Sequence, residues 1–164
     1  MNKIYPFIWF EDKAEEAANY YVNLFPDSKI NEVLKYPKSA EAGTGRPGGS
    51  VMTVDLQLNG MHFVFLNGGK SEGFNLPNGS VSFTIICDTQ KEVDKYWNSF
   101  SDGGKPNVCG WIQDKYGVTW QVVPRILPKF LSDPNKAKSE AVMACFMQMT
   151  KFDIAELQKA YDNA

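Results

Sequence analysis

The N-terminal part of the chain changes from a strand-like to a helix-like hydrophobic pattern. Residues 4–10 are mostly β-branched and aromatic, which is typical of a β-strand. Apolar residues then recur at helical spacing from Ala14 as far as residue 25, and Pro26 ends this pattern. Asp12 and Glu15 have the spacing of a capping box. The pattern predicts a strand followed by an amphipathic helix.

Three more strands are expected before residue 70. They cover residues 30–36, 50–58 and 61–66, and Asn59-Gly60 between the last two is a strong signal for a type I′ hairpin turn. Residues 38–49 hold four glycines and a proline among small polar residues, which predicts a mobile loop that covers a site. The first part of the chain therefore has the order βαβββ.

The same pattern then returns as an internal repeat. A strand is expected at residues 81–87, and a helix follows with apolar residues at helical spacing. Setting each residue against the one 76 positions later gives a consistent set of pairs: Phe7 with Phe83, Asp12 with Asp88, Glu16 with Glu92, Ala17 with Val93, Tyr20 with Tyr96, and Tyr21 with Trp97. Such self-similarity indicates two copies of one structural unit.

The second copy is less complete than the first, and a different pattern follows it. Residues 107–113 and 118–123 are expected to form strands, whereas a third strand is weak or missing. Beyond residue 124, helical patterns punctuated by proline predict a tail that packs on the modules. The expected fold is one α+β domain, residues 1–164, with a first module, a second module and a helical tail at 1–70, 80–124 and 125–164.

Composition and charge narrow the range of partners. Of the 164 residues 43% are hydrophobic and 22% are charged, as in ordinary soluble globular proteins. The net charge of −2 gives no basic field for a nucleic acid or an anionic membrane. No apolar run reaches the roughly 20 residues of a membrane span, and no signal peptide is recognisable. We therefore expect a cytoplasmic protein with a small-molecule partner.

The cysteines suggest neither disulfides nor a zinc site. Cys87, Cys109 and Cys145 are odd in number and lack CxxC spacing, so reduced thiols are expected. Cys109 is a candidate nucleophile, but no histidine or basic cluster near it in the sequence would lower its pKa. No residue is assigned a catalytic role.

Several stretches resemble a known family: Pro6-Phe-Ile-Trp-Phe-Glu-Asp, Tyr20-Tyr-Val-Asn-Leu-Phe-Pro-Asp-Ser, Gly49-Ser-Val-Met-Thr, Leu66-Asn-Gly-Gly, Cys109-Gly-Trp-Ile-Gln-Asp-Lys-Tyr-Gly-Val-Thr-Trp-Gln-Val-Val-Pro and Leu131-Ser-Asp-Pro. Together with the repeat, they resemble the vicinal-oxygen-chelate (glyoxalase/bleomycin-resistance) superfamily. Within it, the chain is similar to PhnB-like proteins, which are often labelled demethylubiquinone methyltransferase domains. The resemblance implies two βαβββ modules around a small-molecule cavity.

The resemblance also indicates where a metal would bind. Metal-dependent relatives place four ligands at positions that correspond here to Pro6, to Val64 or Phe65, to Ser82 and to Gln121. Only Gln121 has a side chain suited to ligation, so we expect neither a metal nor another cofactor. The single histidine, His62, lies beside the hairpin turn and away from these positions, which favours a structural role.

Strand alternation then gives a candidate cavity wall. It places Ile8 and Phe10 on the same face as Pro6, and Thr84 and Ile86 on the same face as Ser82. The candidate ligand-binding residues are Phe10, Phe65, Asn67, Ser82, Cys109, Trp111 and Gln121. The alternative is that these residues fill a solid core.

Three functions are compatible with this cavity. The first is a homodimeric protein that binds a small, partly apolar molecule, since relatives cover edge strands by pairing modules. The second is a metal-independent enzyme on a small carbonyl or aromatic metabolite, oriented by Gln121, Ser82, Asn67 and Cys109. Methyl transfer, as in the family label, fits less well, because the glycine-rich stretch 43–49 leads into a strand instead of a helix.

Overall fold

The computed structural model of the chain describes residues 5–70 and 81–164. The contacts divide the chain into two compact units, Met1–Leu76 and Pro77–Ala164. Each unit contains one four-stranded mixed sheet. The α+β class and the two modules expected from the sequence are confirmed.

The first unit has the predicted order βαβββ. Its elements are β1 (Phe7–Phe10), α1 (Ala14–Leu24), β2 (Lys29–Lys35), a short α2 (Glu41–Thr44), β3 (Val51–Leu58) and β4 (Met61–Asn67). The strands lie in the order β1-β4-β3-β2, with β1 parallel to β4 and the other neighbours antiparallel.

Two connections in this unit show how local sequence sets the chain path. Asn59 and Gly60 both have positive φ, 47° and 80°, as the predicted type I′ turn requires.

The stretch 38–49 has more local structure than its glycine content suggests. It contains a 3-10 turn at Lys38–Ala40 as well as α2, and the Glu41 side chain accepts a hydrogen bond from the Gly48 N–H at 2.6 Å. Its mobility stays a prediction.

The core of the first unit lies between α1 and one face of the sheet. Tyr21 of α1 is fully buried, and its ring meets Phe65 of β4 edge to face at 5.8 Å. Val54 and Leu56 of β3 are also completely buried. Alternation along β3 and β4 thus gives one buried face and one face that α1 does not cover.

The second unit repeats this arrangement with shorter strands. Its elements are β5 (Phe83–Cys87), α3 (Gln90–Ser101), β6 (Lys105–Pro106), β7 (Trp111–Gln113) and β8 (Thr119–Pro124), in the strand order β5-β8-β7-β6. The strand that seemed weak or missing in the sequence is the two-residue β6. The single strand predicted at 107–113 is wrong, because a turn occupies its first part, where Cys109 and Gly110 have φ of 58° and 76°.

A buried carboxylate fixes the β7–β8 turn. Asp114 accepts hydrogen bonds from the backbone N–H groups of Tyr116 and Val118 and from Trp120 Nε1, at 2.8 to 3.1 Å. Trp120 in turn stacks on Phe100 of α3 at 5.0 Å. This network attaches the turn to the core beneath α3.

The predicted helical tail belongs to the second unit. Its helices are α4 (Ile126–Leu131), α5 (Lys136–Phe146) and α6 (Ile154–Asp162). Gln90 of α3 donates to the Phe152 carbonyl at 3.1 Å and accepts from the Ile154 N–H at 2.9 Å. Lys151 Nζ lies 2.5 Å from a carboxylate oxygen of Asp94. Within the described ranges, no helix combines the length and apolar character needed to cross a membrane.

Candidate functional site

In the part of the chain that the structure describes, α1 packs on one face of the first sheet and α3 on one face of the second. The opposite face of each sheet is here called the helix-free face. In the first sheet, Ile8 pairs with Phe65 and Phe10 pairs with Asn67. Phe10 and Phe65 are 4% and 0% exposed, with ring centroids 5.0 Å apart, so both belong to the core beside α1. The structure therefore places these two predicted ligand-binding residues away from the helix-free face.

Asn67, another predicted ligand-binding residue, links three parts of the first unit. Its Oδ1 atom accepts a hydrogen bond from the Ala14 N–H at 2.7 Å, and its Nδ2 atom donates to the Val51 carbonyl at 3.2 Å. Its own carbonyl accepts from the Tyr36 hydroxyl at 2.8 Å. Asp12, predicted as the helix cap, makes no capping hydrogen bond, because Asn67 meets the first N–H of α1 instead.

The sequence pattern assigned Ile8 and Phe10 of β1 to the cavity side of the sheet, and this error has a simple geometric cause. The strand ends, Phe10 and Cys87, are 77 residues apart, whereas the helix starts, Ala14 and Gln90, are 76 residues apart. The first strand-to-helix loop is thus one residue longer than the second. Because side chains alternate with a period of two, a constant offset of 76 residues assigns the strand of one module to the wrong face.

The helix-free face of the first sheet consequently carries other residues than predicted. Phe7 pairs with Val64 and Trp9 pairs with Leu66. Of the two residues considered for the second ligand position, Val64 lies on this face and Phe65 does not. Trp9 is held by a hydrogen bond from its Nε1 atom to the Gly69 carbonyl at 2.9 Å.

In the second sheet the predicted face is the helix-free one. Gln121 of β8 pairs with Thr84 on one side and with Trp111 on the other. Its Nε2 atom donates a hydrogen bond to Ser82 Oγ at 2.9 Å. The structure therefore brings together three of the predicted residues, Ser82, Trp111 and Gln121.

A cleft of about 390 Å³ borders this group along the β6–β7 edge. Trp111, Gln113 and Thr119 line it from the sheet, and Lys105 and Asn107 line it from the edge. Trp111 is half-buried and belongs both to the cleft and to the neighbourhood of Gln121. We call Ser82, Trp111, Gln113, Thr119 and Gln121 the second-sheet site.

Cys109 does not belong to this group. It lies in the turn before β7, and its Sγ atom is 3.9 Å from both the Phe146 carbonyl and Met147 Sδ. Its backbone N–H donates to the Met149 carbonyl at 2.7 Å. The thiol thus contacts the tail instead of Gln121.

Sequence reasoning missed a polar pair on the helix-free face of the first sheet. His62 Nε2 lies 2.7 Å from a carboxylate oxygen of Asp55, and the Tyr5 ring lies 4.5 Å from the imidazole. Burial raises the pKa of Asp55, but hydrogen bonds from Asn31 and His62 outweigh this effect and the pKa is lowered. The two-residue turn fixes the register of β3 and β4, so this pairing was accessible from the hairpin signal.

The residues at the metal-ligand positions do not fit a divalent ion. Phe7, which takes the place expected for Pro6 on the helix-free face, and Val64 have no ligating side-chain atom, and Ser82 and Gln121 are hydrogen-bonded to each other. In the stretches 5–70 and 81–164, no group of three or more His, Cys, Asp or Glu side chains has an arrangement suited to a metal. A divalent metal needs several donors that converge on one point.

Comparisons with known proteins are consistent with this geometry. The family model of 3-demethylubiquinone-9 3-methyltransferase matches residues 2–123. The chain is 32% identical to a PhnB protein from Bacillus cereus, with a TM-score of 0.65 over 75% of this chain and 99% of that one. A protein from Pseudomonas aeruginosa shares the fold at 16% identity and a TM-score of 0.56, over 76% of this chain and 98% of that one. No curated protein matches the chain.

Proposed function

The chain belongs to the 3-demethylubiquinone-9 3-methyltransferase family of PhnB-like proteins, and from this premise we propose that it binds a small, partly apolar molecule at the second-sheet site without a metal. Such a function needs a surface with an aromatic wall and a few fixed polar groups. It requires no catalytic side chain.

The observation that carries the proposal is the Gln121–Ser82 hydrogen bond beside Trp111. Because Ser82 Oγ accepts from Gln121, its own hydroxyl hydrogen can be donated to a ligand. Gln121 Oε1 can accept a hydrogen bond at the same place. The indole of Trp111 supplies an apolar surface for stacking, so polar and apolar parts of one small molecule are both matched.

Methyl transfer is not part of this proposal. A methyl donor held by a Rossmann-type site needs a glycine-rich turn that leads from a strand into a helix. Here the glycine-rich residues 45–49 follow α2 and lead into β3. This glycine-rich stretch therefore lacks the local structure that a Rossmann-type methyl-donor site requires.

We also propose that the protein is a cytoplasmic homodimer. β1 and β5 are edge strands in their sheets, and Phe7 and Ile86 on them are 54% and 42% exposed. Unpaired edges with apolar side chains favour pairing with another copy. Light scattering at micromolar concentration tests this, and a monomer there would contradict it.

Ligand binding can be tested by native mass spectrometry of freshly purified protein. Any metabolite that copurifies is then titrated against the protein. If none copurifies, 4-hydroxybenzoate and benzaldehyde serve as aromatic probes, with the quenching of tryptophan fluorescence as the signal. We expect Gln121→Leu and Trp111→Ala each to weaken binding about tenfold, as the loss of one good contact does.

Gln148→Leu is the matched control, because Gln148 is an exposed residue of the tail. It should leave the affinity unchanged. Native affinity in both site variants, or no binding of any metabolite or probe by the unmodified protein, would contradict the proposal.

A further inference from the structure

The first unit has a cleft of its own on the α1 side of the sheet, away from the helix-free face. Its volume is about 360 Å³, and its lining includes Asp12, Glu15, Glu16, Arg46, Ser50 and Asn67. All of these residues lie within the first unit. This volume is at the small end of the range for ligand pockets, roughly 300–1,000 Å³.

The position of Arg46 in this cleft is set by the backbone around it. Thr44 Oγ1 accepts a hydrogen bond from the Arg46 N–H at 3.2 Å, and Gly45 before it adopts the left-handed conformation that ends α2. The guanidinium lies over Gly69, where an added Cβ would be 3.4 Å from Nη2, an ordinary van der Waals contact. The guanidinium thus packs against this part of the backbone.

This guanidinium has a buried nitrogen without a hydrogen-bond partner. The Nη2 atom of Arg46 is buried and is not hydrogen-bonded. The residue as a whole is only half-buried and lines the cleft, so the accessible part of its guanidinium can meet a ligand. A buried charged donor in this state is costly, and such groups are normally paired. Among residues 5–70 and 81–164, no carboxylate forms an ion pair with Arg46.

The acidic residues of the cleft are close to the arginine in the fold but do not neutralise it. Within the described part of the chain, the Asp12 and Glu15 side chains have no ion-pair or hydrogen-bond partner either. Glu16 lies 3.7 Å from Lys13 Nζ. Among the described residues that line the cleft there are thus one cation and three carboxylates, without a salt bridge between the cation and any of the three. An anion alone would be repelled by the carboxylates, and a cation alone would leave Arg46 unpaired.

We propose that this cleft binds a small zwitterion of the amino-acid class, with its carboxylate on Arg46 and its ammonium group toward Asp12 and Glu15. Guanidinium and carboxylate form strong, charge-assisted hydrogen bonds. The ammonium group meets the carboxylates at the exposed rim, next to the start of α1. This site is independent of the second-sheet site, which lies in the other unit.

The test is an NMR titration of the ¹⁵N-labelled full chain with the twenty amino acids, supplied first as a pool and then singly. We expect the binder to shift the amide signals of Arg46, Ser50 and Gly69 without shifting those of Trp111 and Gln121. The deaminated and decarboxylated analogues of that amino acid should bind at least tenfold more weakly. Absence of shifts at millimolar concentration, or equal binding of an analogue with a single charge, overturns the proposal.

Variants then test the role of Arg46. Arg46→Met removes the charge but keeps a long apolar side chain, and we expect it to reduce zwitterion affinity at least tenfold. Lys38→Met, an exposed position in the same loop, is the matched control and should bind normally. Gln121→Leu should also bind normally, which separates this site from the proposed function. Native affinity in a folded Arg46→Met protein overturns the proposal.

Discussion

The Oδ1 atom of Asn67 accepts a hydrogen bond from the backbone N–H of Ala14 at 2.7 Å, across 53 residues of sequence. It caps α1 from the end of β4, and the residue is 7% exposed. Asn67→Ala should lower the free energy of unfolding by about 2 kcal/mol, since buried backbone groups lose their partners. Urea denaturation measures this change. Asn19→Ala, which alters an exposed asparagine on α1, should change it by less than about 0.5 kcal/mol; equal effects of the two substitutions would contradict the capping role.

The tail should depend on the small size of Gly110. A Cβ there would lie 2.3 Å from a ring carbon of Phe152 and 2.8 Å from the Val122 carbonyl oxygen. We expect Gly110→Ala to cost about 3 kcal/mol or more through steric overlap and strain. Gly60→Ala is the control, because Gly60 has a similar φ of 80° but no atom within 4 Å of its Cβ position. Its cost should be about 1 kcal/mol, and thermal melts with comparable losses for both would argue against close packing of the tail on this turn.

Two of the three thiols, those of Cys87 and Cys109, should differ in reactivity. Burial, with smaller contributions from the Glu92 and Asp88 carboxylates, raises the pKa of Cys87 to about 12. Its reactive thiolate is therefore scarce at pH 8, and its thiol is also inaccessible. Iodoacetamide labelling followed by peptide mass spectrometry should modify Cys109, which is half-exposed, well before Cys87. Denaturant should remove this difference; rapid native labelling of Cys87 would show that its surroundings open readily.

Metals should leave the stability of the protein unchanged. A metal that binds the folded state in preference to the unfolded state raises the melting temperature by mass action. Because neither Pro6 nor Phe7, which takes its place on the helix-free face, nor Val64 can ligate a metal, Ser82 and Gln121 are left as the candidate donors. We therefore expect zinc, nickel, manganese and EDTA to have no effect on untagged protein. Thermal melts and elemental analysis measure this. Stoichiometric metal that EDTA removes with a loss of stability would contradict it.

The sequence was a good guide to the elements because their signals are local. The helical spacing of α1 and α3 and the Asn59-Gly60 turn depend on residues close together in the chain. The resemblance to the family had set Ser82 and Gln121 near each other, and their side chains are hydrogen-bonded. The helices and the hairpin turn follow from periodicity and turn chemistry alone.

The features that the sequence did not predict depend on contacts between distant segments. The cap of α1 comes from Asn67 and not from Asp12, and Cys109 contacts Met147 in the tail. Neither partner can be identified from spacing along the chain. The wrong face of β1 has another origin, since a difference of one loop residue leaves the hydrophobic pattern almost unchanged but reverses every side chain of the strand.

This difference in loop length also bears on how a duplicated fold can acquire new binding properties. Insertion or deletion of one residue between strand and helix exchanges the whole set of side chains that a strand offers to its two sides. A single codon gained or lost can therefore replace several surface groups at once, whereas point substitutions would have to change them one by one. In this chain the two halves present Phe7 and Trp9 in one case and Thr84 and Ile86 in the other, and duplication leaves one half free to vary while the other keeps the original chemistry.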